Sequence, residues 1–164
     1  MFAWHDCDPG YDDALALAML TASEKITNMS LIGVSTVGGN VDVAKCTINA
    51  RRMLAISNHP NTNVFTGASR PLIRTPIYCP EVHGETGLDG TTTLEKVILP
   101  PLDEKIYGTG KCIKAMYTQM MATPKGSCWL VCTGPLTNAA ILLSTYGEKF
   151  AGHLAGLCFM GGAI

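Results

Sequence analysis

Short apolar runs alternate with helically spaced stretches along this chain, and each run breaks off in a polar or glycine turn. Met29 to Thr36 forms one such run, ending at Val37-Gly38-Gly39-Asn40. Asn63 to Thr66 is a second, Ser127 to Cys132 a third ending at Thr133-Gly134-Pro135, and Ala155 to Met160 a fourth running into Gly161-Gly162. Between them, Val41, Ala44, Ile48, Ala50, Met53 and Leu54 repeat at helical spacing, as do apolar positions in Lys111 to Ala122 and Thr137 to Ser144. Strand, turn, helix, strand is the pattern of a parallel sheet buried under helices. The predicted class is α/β: an open, mostly parallel, Rossmann-like sheet with helices on both faces. Arg70 to Leu102 breaks the rhythm, with five prolines and no clean period. A long irregular stretch inside a compact domain is often a binding loop.

Four aspartates crowd into the first turn, in Asp6-Cys7-Asp8-Pro9-Gly10-Tyr11-Asp12-Asp13, between an apolar lead and the apolar helix Ala14 to Leu20. Like charges this close raise one another's pKa, so such a turn is usually offset by a cation. Hard oxygen ligands suit Ca²⁺ or Mg²⁺. Helix capping accounts for Asp12 or Asp13 singly but leaves Asp6 and Asp8 unexplained. An EF-hand is excluded because no glutamate closes the loop, and Gly108-Thr109-Gly110-Lys111 lacks the remaining residues of a phosphate-binding loop. In a parallel sheet, ligands bind beyond the carboxyl ends of the strands. The aspartate turn, Gly38-Gly39-Asn40 and Thr133-Gly134-Pro135 all fall there and are expected to converge on one rim. Asn40 also suits the N-cap of the helix that follows, and Thr133 suits an ordinary turn. His5, His59 and His153 carry no functional reading.

Composition removes several function classes. Of the 164 residues 47 % are hydrophobic and 15 % charged, which is the balance of a folded core. A net charge of −1 offers no electrostatic basis for binding nucleic acid or an anionic membrane. No apolar run approaches the roughly 18 residues of a membrane span, and no secretory signal is read at the N-terminus. The seven cysteines include no Cys-x-x-Cys and are odd in number, so reduced, buried thiols in a cytoplasmic protein are expected. The last run ends at Met160, four residues before the end, and the sheet is expected to continue beyond residue 164. An aspartate-nucleophile phosphatase also places Asp-x-Asp after its first strand. That reading wants a hydroxyl residue where Gly10 stands.

The same residues resemble the inosine–uridine nucleoside N-ribohydrolases. Asp6 to Ala14 looks like their N-terminal signature, and Thr36-Val37-Gly38-Gly39-Asn40 like their second turn. Gly67-Ala68, Arg70-Pro71-Leu72 and His83-Gly84-Glu85-Thr86-Gly87-Leu88 resemble the loop that closes over substrate. Thr133 to Asn138 and Met160-Gly161-Gly162 complete five motifs in the family's order.

The resemblance implies hydrolysis of the N-glycosidic bond of uridine- or inosine-type nucleosides by a Ca²⁺-bound water. It assigns the ion to Asp8, Asp13 and the carbonyl of Thr133, with Asp8 also taking the water's proton. Asp12 is implied to hold a ribose hydroxyl, Asn40 to sit beside the ribose, His83 to lie near the base and Met160 to line the ribose pocket. Asp6 is expected to orient the turn. Residues 1–164 correspond to the N-terminal part of the family's domain, and full-length relatives are implied to be homo-oligomers. A chain that binds metal or ribosides without turning them over is the alternative.

Overall fold

The computed structural model describes residues 1–103, 107–108 and 110–161. Five strands form one wholly parallel sheet: β1 (Phe2–Cys7), β2 (Ser30–Thr36), β3 (Val64–Thr66), β4 (Cys128–Cys132) and β5 (Gly156–Phe159). Their order across the sheet is β3-β2-β1-β4-β5, so β1 lies at the centre and the chain reverses its direction of winding there. The connecting helices are α1 (Tyr11–Ser23), α2 (Val43–Ile56), α3 (Pro80–His83), α4 (Thr92–Glu95), α5 (Cys112–Met121) and α6 (Thr137–Ala151).

The sheet is sandwiched by two apolar clusters. On one side Ala14 and Leu17 of α1 and Ala50, Met53 and Leu54 of α2 pack on Leu31, Val34 and Val64. On the other, Met116 and Met120 of α5 and Leu142 and Phe150 of α6 pack on Trp4, Leu130 and Cys132. Trp4 is fully buried and stacks on Phe65, with ring centroids 5.8 Å apart. It is accommodated because Gly33 opposite has no side chain: a Cβ there would lie 2.4 Å from the indole. The β1–β2 register slips by one residue just before Trp4, so Gly33 becomes its partner.

Several boundaries differ from the sequence reading: β1 runs on through Asp6 and Cys7, and α1 spans Tyr11–Ser23. The helix after Gly38-Gly39-Asn40 starts at Val43, and its N-cap is Asp42, whose carboxylate accepts from the Ala44 and Lys45 amides at 3.1 and 3.0 Å. Asn40 is therefore free of capping duty. The last helix runs on past Ser144 to Ala151, kinked at Gly147, where φ is +60° and ψ −154°. Arg70 to Leu102 is largely irregular as expected, broken by the single turns α3 and α4. Gly162 of the final turn and Thr109 lie outside the described residues.

Candidate active site

The aspartate turn is built from the inside out by its own backbone. Asp13, in the first turn of α1, reaches back and accepts from the amides of Gly10 at 3.2 Å and Asp8 at 3.3 Å. Its Oδ1 also accepts from the Thr133 hydroxyl at the end of β4. Asp8 is gripped from the β2 side: the Asn40 amide donates to its Oδ2 at 2.8 Å, and Asn40 Nδ2 donates to its carbonyl at 2.9 Å. The two neighbouring turns approach so closely that side chains are excluded. A Cβ on Gly39 would lie 2.1 Å from Asp8 Oδ2, and one on Gly134 would lie 2.7 Å from Asp8 Oδ1.

Deeper in β1, Asp6 is fully buried and accepts from Ser35 Oγ at 2.5 Å and Asn138 Nδ2 at 2.8 Å. Its other oxygen, Oδ2, has no partner. The backbone carbonyl of Asp6 accepts the Thr133 amide at 3.0 Å. Asp6 thus ties β1 to Ser35 of β2, to Asn138 and to the exit of β4 at Thr133.

Electrostatics sets these carboxylates apart from surface ones. Burial, and next the charge of Asp13, pushes Asp8 up to about 8 against the opposing hydrogen bond from Asn40. Burial raises Asp13 as well, while the Thr133 hydroxyl opposes the shift. Asp6 is pushed up to about 6, again chiefly by burial. Among the described residues the side-chain ion pairs are Lys45–Asp42 and His59–Glu24, both away from this turn. Two buried carboxylates with raised pKa values and oxygen-only donors fit a hard divalent cation. Among the described residues no three His, Cys, Asp or Glu side chains gather to hold an ion. Asp8 and Asp13 alone would supply only part of the donor set such an ion needs.

Asp8, Asp12, Asn40, His83, Thr133, Gly134, Pro135, Leu136 and Met160 line one cavity of about 370 Å³ at the carboxyl rim of the sheet. All the sequence-predicted residues except Asp13 and Asp6 face it, and those two stand behind Asp8. Asp12 is exposed, His83 is half-buried and Met160 is 59 % exposed.

One participant escaped the sequence reading. His5 is fully buried, with Nε2 3.0 Å from Thr133 Oγ1 and Nδ1 unpartnered. The single Thr133 proton goes to Asp13, so the bond from His5 requires the Nε2–H tautomer when Asp13 is ionised. Burial pushes His5 down to about 4, which keeps it neutral at pH 7. His5, Thr133 and Asp13 then form a donor chain from β1 through β4 to the turn. Its only signal in the sequence was a position inside an apolar strand, one residue before Asp6.

An open parallel sheet with a carboxylate-lined cavity at its switch point is the architecture of an α/β small-molecule enzyme. The chain belongs to the inosine-uridine preferring nucleoside hydrolase family, which it matches over residues 3–164. It is 37 % identical over 160 residues to the pyrimidine-specific ribonucleoside hydrolase RihA of Klebsiella pneumoniae, covering 97 % of this chain and 47 % of that one. The fold superimposes on a plant nucleoside hydrolase, PpNRh1, with a TM-score of 0.80 at 27 % identity, covering 99 % of this chain and 48 % of the other. A purine-preferring ribonucleoside hydrolase from Gardnerella vaginalis shares the fold with a TM-score of 0.78 at 23 % identity, over 99 % of this chain and 49 % of that one. The chain spans about half the length of these relatives.

Proposed function

We propose that this chain carries the metal and ribose side of a site that hydrolyses the N-glycosidic bond of uridine- or inosine-type ribonucleosides. The observation that supports it is convergence. Asp8, Asp12, Asn40, His83, Thr133 and Met160 come from five separate segments and line a single cavity. Its volume of about 370 Å³ falls in the range of roughly 300–1,000 Å³ usual for small-molecule sites.

Asp8, Asp13 and the Thr133 carbonyl would hold Ca²⁺. When bound, the ion lowers the pKa of a water and orients the sugar diol. The Asp8 carboxylate accepts the proton of the attacking water, a contribution of about 10²–10⁴-fold. Water oxygen bonds to the anomeric carbon, the bond to the base nitrogen breaks, and the water's proton ends on the free base. The path runs through an oxocarbenium-like ribosyl cation, as in other glycoside hydrolysis. The clustered carboxylates stabilise that positive charge. Asp12 binds a ribose hydroxyl, Asn40 keeps Asp8 oriented beside the ribose, and His83 lies at the base. The substrate partner is a free nucleoside, and homo-oligomeric assembly is expected of full-length relatives. No helix among the described residues is long and apolar enough to cross a membrane, and all seven cysteines are free, which supports a cytoplasmic salvage enzyme.

Riboside binding without turnover is the second reading, favoured because among the described residues no three His, Cys, Asp or Glu side chains are placed to hold an ion. Reducing-sugar release from uridine and inosine, with and without a Ca²⁺ chelator, separates the two. Turnover is expected to fall about 10²–10⁴-fold in Asp8→Asn. Ca²⁺ is expected to raise the melting temperature of the wild type but not of Asp8→Asn. A wild type indifferent to Ca²⁺, or a variant of undiminished activity, would reject the proposal. Stabilisation and uridine binding without ribose release would establish the second reading, and phosphate release from a phosphomonoester would establish the phosphatase.

A further inference from the structure

We propose that Tyr11 is a positioning residue that latches the segment 83–90 to the aspartate turn through its hydroxyl and sets the His83 ring through contact with its own ring. The inference rests on the nucleoside reading of the cavity and assigns Tyr11 a part in recognising the base.

Tyr11 is the first residue of α1, adjacent to Asp12, and is 45 % exposed. Its hydroxyl donates to the Asp89 carbonyl at 2.9 Å, bridging 78 positions of sequence. Its ring lies against His83, with centroids 5.5 Å apart and planes tilted by 35°. On its other side the His83 ring presses onto the turn itself. A Cβ on Gly10 would fall 2.5 Å from His83 Nδ1. That Nδ1 is buried and has no hydrogen-bond partner among the described residues. No hydrogen bond at Nδ1 orients the imidazole there, and contact with Tyr11 and Gly10 takes its place.

The segment that carries His83 is braced internally. The Asp89 carboxylate accepts from the Glu85 and Thr86 amides, each at 3.0 Å, and from the Thr86 hydroxyl at 2.5 Å. Gly84 sits at φ +75°, and a Cβ there would lie 2.2 Å from that carboxylate. From α2, Asn49 Nδ2 donates to the Thr86 carbonyl at 2.8 Å and Lys45 Nζ to the Glu85 carbonyl at 2.8 Å. These bonds hold one side of the segment. Tyr11 holds the Asp89 side to α1, and the Asp89 amide donates to the His83 carbonyl at 3.4 Å.

The test uses the whole chain with two variants. Tyr11→Phe deletes the hydroxyl and keeps the ring, whereas Tyr11→Leu deletes both. Amide exchange at 85–90 is expected to quicken about three- to tenfold in each, the loss of one hydrogen bond. The His83 ring-proton resonances should hold in Tyr11→Phe and shift in Tyr11→Leu. The dissociation constant for uridine should rise about three- to tenfold in Tyr11→Leu, with that for free ribose unchanged. Exchange that does not quicken in Tyr11→Phe, or unmoved His83 resonances in Tyr11→Leu, overturns the latch. Equal weakening of uridine and ribose overturns the role in base recognition. A wild type that binds neither compound rejects the nucleoside reading and overturns base recognition with it. The exchange rates and ring resonances then still decide the latch. Should Tyr11→Leu not fold, exchange in Tyr11→Phe decides it.

Discussion

Ser35 satisfies two buried groups on β1 with one hydroxyl. It accepts from the Trp4 indole N–H at 2.9 Å and donates to Asp6 Oδ1 at 2.5 Å. Ser35→Ala strands both: an indole N–H inside the core, and a buried carboxylate reduced to its Asn138 donor. Leaving buried groups unsatisfied costs about 1–3 kcal/mol. The midpoint of urea unfolding should fall accordingly with an unchanged slope, and an unshifted midpoint would show that water replaces the hydroxyl at no cost. The four aspartates were legible in the sequence because they are contiguous and electrostatically costly. The partners that make the cost tolerable were not. Asn138 lies 132 positions from Asp6, and Thr133 lies 128 from His5. One sequence carries no signal of a contact at that separation, so an ordinary-looking histidine in a strand went unassigned.

At the level of elements, the α2 N-terminus decides what the Gly38-Gly39-Asn40 turn is free to do. Asp42 satisfies the first amides of the helix, leaving the Asn40 side chain and amide for Asp8. Asp42→Ala should cost about 0.5–2 kcal/mol. For a chain of this size the melting temperature should drop by about 2–4 °C per kcal/mol. Uridine and Ca²⁺ binding should be unaffected, because the cap contacts neither Asp8 nor Asn40. A variant that loses ligand binding at full stability would mean that the cap also positions the site. Strand positions were readable from their apolar runs; the structure trims the later four by a residue or so and carries β1 on through Asp6 and Cys7. Helix ends were less so. Val41 continues the apolar spacing back into the turn, although the backbone becomes helical only at Val43. At the far end, the helical spacing was followed only to Ser144, yet the chain passes a kink at Gly147 and helix continues to Ala151.

Across the whole molecule, the two ends of the sheet are treated differently. β3 has all three of its residues buried, whereas β5 at the opposite edge leaves Leu157, Cys158 and Phe159 exposed, beside a half-exposed Trp129. Parallel sheets are usually covered on both faces, so an exposed apolar edge strand is unusual for this architecture. The cysteines report on this asymmetry because they sample both ends. Cys7, Cys46, Cys112, Cys128 and Cys132 are buried, Cys79 is intermediate and Cys158 is exposed. Burial pushes the Cys128 thiol up to about 11 and Cys46 up to about 12, and raises Cys7, Cys112 and Cys132 well above the usual thiol value. The thiolate is the reactive form, so a raised pKa and loss of access both suppress labelling. At pH 8 an aromatic disulfide reagent should label Cys158 first and Cys79 more slowly, with the remaining five reacting only after denaturation. Raising the pH to 9 should not recruit the buried five. If Cys158 instead stays silent in the folded chain, β5 is covered in solution, and its protection would mark the edge as an occupied interface.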